Sequence, residues 1–167
     1  MSKITLRFVG GTSFVSDTIK RFEYGFWASH VEAVLPNGTI ISADMDKGVA
    51  QFPLDYNTGT FDRELYVTIA TTKVISDKFY AFLRSQLGKP YDTEAVLGIG
   101  LGRNWRNDGS WFCSELDASG LCECGLFPSH LADDLNHVTP RDLLLILSGR
   151  ADVSMSSSVP TPEPQPV

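Results

Sequence analysis

The sequence predicts one domain of mixed strands and helices, and three stretches carry that expectation. The first is a hairpin: Ser29-His30-Val31-Glu32-Ala33-Val34-Leu35 and Thr39-Ile40-Ile41-Ser42-Ala43 flank the turn-forming triplet Pro36-Asn37-Gly38. The second is 74–87, whose apolar residues at 75, 79, 82, 83 and 87 have the spacing of a helix with one apolar face. The third is Trp111-Phe112-Cys113-Ser114-Glu115-Leu116, which follows a loop of glycine, asparagine and charged residues at 98–110. It opens a short helix over 112–124 through Leu116, Ala118 and Leu121. At 167 residues, with 43% hydrophobic and 20% charged residues, the chain is long enough to bury a full core.

The remaining elements follow in order. Residues 4–9 read as a strand closed by Gly10-Gly11. Thr12 or Ser13 caps a helix with Phe14, Val15, Thr18, Ile19 and Phe22 on its apolar stripe, ended by Gly25. A short strand and turn containing Pro53 are expected over 48–56, and another strand over 64–70. Gly88 and Pro90 stop the second helix, and Tyr91 follows at once in Gly88-Lys89-Pro90-Tyr91-Asp92. Thr139 as N-cap with Pro140 at the first helical position starts a further element, whose five consecutive apolar residues, 143–147, suggest a buried helix or strand end. Beyond it the composition turns to Ser, Pro and Glu. The domain is therefore expected to span 1–148, with a flexible tail at 149–167.

The hairpin register decides which side chains meet. If Asn37-Gly38 made a two-residue turn, His30 would face Met45. If Pro36-Asn37-Gly38 is a three-residue loop with Gly38 left-handed, His30 faces Asp44 and Glu32 faces Ser42. His30, Glu32, Ser42 and Asp44 then share one face, and a histidine beside carboxylates is placed to act as an oriented base. The alternative is an ordinary solvated sheet face.

Cys113 falls in the first turn of its helix, where unpaired N–H groups and the positive end of the helix dipole favour thiolate over thiol. That is what a nucleophile needs, although most free cysteines are inert, buried hydrophobes. Three cysteines, an odd number, argue against a disulfide framework. Cys122-Glu123-Cys124 with His130 and His137 lacks the usual zinc spacing, so no metal and no cofactor is expected.

Net charge is -6, and no cluster of Lys and Arg suggests a nucleic-acid partner. No run approaches the roughly 20 apolar residues of a membrane span. The first eight residues alternate as a strand does and hold no signal-peptide core, so synthesis in the cytoplasm is expected.

Ser29-His30-Val31, the hairpin, the Gly-x-Pro-Tyr turn at 88–91 and Phe112-Cys113-Ser114-Glu115-Leu116 together resemble the circularly permuted, YiiX-like branch of the NlpC-type papain-like cysteine peptidases. The resemblance spans residues 6–147. It implies an α+β fold in which an antiparallel sheet carrying the histidine packs against the helix carrying the cysteine. Cys113 would be the nucleophile and His30 the base, with Tyr91 near the oxyanion. The family's orienting residue falls on Ser42, which cannot stabilise an imidazolium as a carboxylate can, so Glu32 on the same face is preferred. The substrate implied is a peptide or peptidoglycan peptide. A weaker similarity to small proteins of tailed phages implies a virion or tail setting with virion proteins as partners. Two other readings stay open: an acyl transferase or thioesterase like the lecithin-retinol acyltransferases, with Phe26-Trp27 meeting an acyl chain, and a non-catalytic structural or binding module.

Overall fold

The computed structural model describes residues 2–12, 17, 21, 25–93, 109–129, 135 and 138–159. Among these, six strands form one antiparallel sheet: β1 (Ser2–Gly11), β2 (His30–Val34), β3 (Thr39–Asp44), β4 (Gly48–Pro53), β5 (Phe61–Thr71) and β6 (Val153–Ser156), in the order β4-β3-β2-β1-β5-β6. Three helices accompany it, α1 (Lys73–Ser85), α2 (Cys113–Glu123) and α3 (Pro140–Ser148). The fold is α+β, as expected. The helix expected after Thr12 lies outside the described residues except at isolated positions.

Alternation along β1 sorts the two faces of the sheet. Ile4, Leu6 and Phe8, with Val31, Ala33, Ile41, Val67 and Ile69, form the main core against Phe79 and Leu83 of α1, Leu116 and Leu121 of α2, and Leu143 and Leu147 of α3. Gly120 lets α2 approach α1 closely, since a Cβ there would meet the Phe79 ring at 2.8 Å. On the other face Arg7 pairs with Glu32 on one side and Tyr66 on the other. Beside them Val34, Ile40 and Tyr66 form a smaller cluster, covered by Leu54 and Tyr56 of the turn after β4.

The hairpin takes the three-residue loop. Ala33 pairs with Ile41 and Val34 with Ile40, Leu35 N–H donates to the Thr39 carbonyl, and Gly38 has φ +80°. Thr139 and Pro140 start α3 as expected, Asp142 N–H donating to the Thr139 hydroxyl at 3.2 Å. Of the helix or strand end expected there it is a helix, buried on one side: Leu143, Leu144 and Leu147 face the core while Leu145 and Ile146 are exposed, because a helix on a sheet offers one face only. The tail boundary also shifts, since β6 lies within the segment expected to be flexible and pairs Val153 with Ile69 and Met155 with Val67 of β5. A strand ladder needs backbone groups and not an apolar composition, and Arg150, bonded to Asp152 and to the Leu126 carbonyl, steers the chain into it.

Two glycines with positive φ differ in what surrounds them. Gly38 has open space around it, whereas a Cβ on Gly48 (φ +69°) would collide with the Lys89 carbonyl, which accepts from Val49 N–H. Gly38→Ala should therefore lower stability by about 1 kcal/mol, the strain of a left-handed residue. Gly48→Ala should lower it by about 2 kcal/mol or more, because the 88–90 turn must also move. Denaturant midpoints of the two variants check this, and equal losses would contradict it.

Candidate active site

The expected residues converge from three parts of the chain. His30 opens β2, Ser42 lies on β3, and Cys113 is the first residue of α2, where its N–H has no partner within the helix. Glu115, in the first turn of α2, accepts from Phe112 N–H at 3.5 Å, and Ser114 Oγ donates to the Val138 carbonyl at 2.6 Å. These contacts hold the start of the helix in place. Cys113 itself is 1% exposed.

His30 Nε2 lies 2.8 Å from Ser42 Oγ and 3.4 Å from Glu32 Oε1. The imidazole also interacts with Cys113. Burial pushes the imidazole toward neutrality, but the Cys113 sulfur and then Glu32 outweigh it and raise the His30 pKa well above the usual range. Of the two residues weighed for the orienting role, Ser42 makes the shorter contact and Glu32 brings the charge. Glu32 is fully buried. Its carboxyl is held below the ordinary range against the effect of burial, by His30 first, then by Arg7 and Tyr56.

Tyr91 reaches the site through a backbone bridge to Trp111: Trp111 N–H donates to the Pro90 carbonyl and Asp92 N–H to the Trp111 carbonyl, both at 3.0 Å. Its ring meets Phe112 edge-on, with centroids 6.1 Å apart. Burial first, and then the neighbouring Cys113, Asp44 and Asp92, raise its pKa well above the usual phenol, so Tyr91 is a hydrogen-bond donor at neutral pH. A cavity of about 500 Å³ opens beside these groups, lined by His30 and Tyr91 together with Asp44, Met45, Tyr56, Asn57 and Phe61 among others. Two of the residues lining it, His30 and Tyr91, both interact with Cys113.

Four residues of the site were not singled out from the sequence. Arg7 donates from Nε to Glu32 Oε2 at 2.8 Å, and Tyr56 OH donates to Glu32 Oε1 at 2.6 Å. Asn57 Nδ2 donates to the same oxygen at 3.2 Å. Alternation along β1 could have placed Arg7 on the face of His30 had the β1–β2 pairing been inferred. The fourth, Asp117, lies one turn after Cys113 on α2, 1% exposed, with Oδ1 lacking a hydrogen-bond partner among the described residues. Burial, only partly offset by His30 and reinforced by Glu32, raises its pKa well above the ordinary carboxyl.

Trp27, expected to meet an acyl chain, instead stacks under the Arg63 guanidinium, 4.3 Å from the ring centroid, and lines no part of the cavity. His130 and His137 lie outside the described residues. Among those described, no three His, Cys, Asp or Glu side chains could hold a metal ion, and no helix is long and apolar enough to cross a membrane.

No protein-family model matches this sequence, and no curated protein matches it. The fold is similar to the crystal structure described as that of the metalloprotein yiiX from Escherichia coli O157:H7, with a TM-score of 0.66 and 15% sequence identity over 93% of this chain and 97% of that one. That similarity makes the α+β architecture consistent with a papain-like fold.

Asp117 leaves a thermodynamic signature. Its carboxyl binds a proton more tightly folded than unfolded, so stability is greatest below the unfolded pKa of about 3.9 and falls as pH rises through and above it. Asp117→Asn removes that slope. Its melting temperature should exceed the wild-type value at pH 8, the gap closing toward pH 4; an offset constant with pH would contradict this.

Proposed function

We propose that this chain is a cysteine hydrolase acting on an amide bond, with Cys113 as nucleophile, His30 as general base and acid, and Glu32 with Ser42 orienting the imidazole. The observation that carries it is the placement of His30. Its Nε2 is engaged by Ser42 and Glu32 while the ring also interacts with a cysteine at a helix N-terminus.

In this reading His30 takes the thiol proton and the sulfur attacks the carbonyl carbon, forming a C–S bond. The Cys113 backbone N–H and the Tyr91 hydroxyl meet the oxyanion. The imidazolium then protonates the leaving amine, the C–N bond breaks, and a thioester remains. Water, deprotonated by His30, attacks that thioester; the C–S bond breaks, the acid leaves and the thiol is restored. The resemblance to the permuted NlpC-type peptidases makes peptidoglycan peptide the first substrate to try, and a virion or tail component the first setting. The acyl-transfer alternative has less support, since Trp27, one of the two aromatic residues suggested for it, is stacked under Arg63.

Cys113→Ala should abolish turnover of peptidoglycan peptides and leave the circular-dichroism spectrum unchanged. Iodoacetamide labelling followed by mass spectrometry gives a substrate-free check. Cys113 should label below pH 8 ahead of Cys122 and Cys124, and lose that advantage in His30→Ala. Cys113 labelling no faster than its neighbours would instead point to a binding module on this fold.

A further inference from the structure

Arg7 is 2% exposed, and its shortest contacts go to Glu32 and to the turn after β4. Nε and NH2 hold Glu32 Oε2, at 2.8 and 2.7 Å. NH1 donates to the Leu54 carbonyl at 2.9 Å and NH2 to Asn57 Oδ1 at 2.6 Å, both in the turn after β4. That same turn supplies Tyr56 and Asn57 to the cavity wall and to the other Glu32 oxygen, Oε1, the one facing His30. A buried ion pair is a poor device for stability alone, since apolar pairs of similar size often do as well. What apolar residues could not do is fix which carboxylate oxygen faces the imidazole.

We propose that Arg7 is a positioning residue for the base: by binding Oε2 of Glu32 and fastening the 54–57 turn, it presents Oε1 to His30 and sets the cavity wall in register with it. The inference rests on His30 acting as the base of a cysteine hydrolase.

Glu32 is faced by Arg7 from β1, by His30 on its own strand, by Tyr56 from the turn and by Asp117 from α2. Glu64 and Tyr66 on β5 bear on Arg7, and Asp44 at the end of β3 bears on Tyr56. Among these neighbours Arg7 and His30 are the cations that keep Glu32 ionised. Without Arg7, Glu32 takes up a proton at a higher pH and His30 loses its charged partner there.

The experiment is the pH profile of Cys113 labelling by iodoacetamide, on the full chain, in wild type, R7M, R7K, E32Q, R7M/E32Q and His30→Ala. In R7M the loss of rate relative to wild type should be about fivefold larger at pH 5 than at pH 8, the size expected if the protonation of one coupled group has moved. R7K keeps the charge and loses the fork, so it should shift the profile the same way by less; it carries the test if R7M does not fold. In the E32Q background, with no carboxylate to hold, replacing Arg7 should lose this pH-selective effect or reverse it. Superposed profiles, or one factor of loss at every pH in both backgrounds, would overturn the proposal and leave Arg7 a structural residue. If His30→Ala leaves Cys113 labelling unchanged, the hydrolase reading fails and this proposal with it. If His30 matters and the Arg7 variants do not alter the profile, only the role of Arg7 fails.

Discussion

The β2–β3 register is the constraint on which the site depends. Three residues in the loop, with Gly38 left-handed, put His30, Glu32 and Ser42 on one face of the sheet. A slip of one residue would turn His30 and Glu32 into the main core and bring Val31 and Ala33 out. The buried neighbours hold the register from both sides, since Val31 and Ala33 fill the helix-covered face while Val34 and Ile40 fill the other. Local turn chemistry and burial agree on one pairing, and the polar residues between the apolar ones become a site instead of a wetted surface.

Placing so many ionisable groups inside a small sheet works because most are matched. Glu32 has Arg7, and His30 has Cys113 with Ser42 and Glu32 behind it. Asp117 is the exception: among the described residues no cation balances it apart from His30, so burial decides and raises its pKa. Two carboxyl groups near one imidazole thus have their pKa values pushed in opposite directions, by their surroundings and not by their residue type.

Much of this was legible in the sequence, for physical reasons that can be named. Turn residues act locally, so Pro36-Asn37-Gly38 announced the hairpin and Thr139-Pro140 the start of α3. Cys113 was legible because helix entry and thiol fell at one position. Arg7, Tyr56 and Asn57 were not, because each reads alone as an ordinary exposed polar residue, and only β1–β2 pairing and the fold of the turn onto the sheet bring them to Glu32. Asp117 was hidden for a similar reason: on a helix whose polar and apolar residues are poorly segregated, sequence cannot say that the carboxyl faces inward. β6 was missed because its pairing is through backbone groups, which composition does not record.

The bridge between Tyr91 and Trp111 has a consequence for how such a chain can vary. It joins the two ends of the 92–110 segment by hydrogen bonds between backbone groups, so Tyr91 and Cys113 are set relative to each other whatever the length of chain between them. The contact that spaces the phenol and the thiol is thus made by main-chain groups, and a lineage could exchange the side chains at 90 and 111 while that spacing was kept.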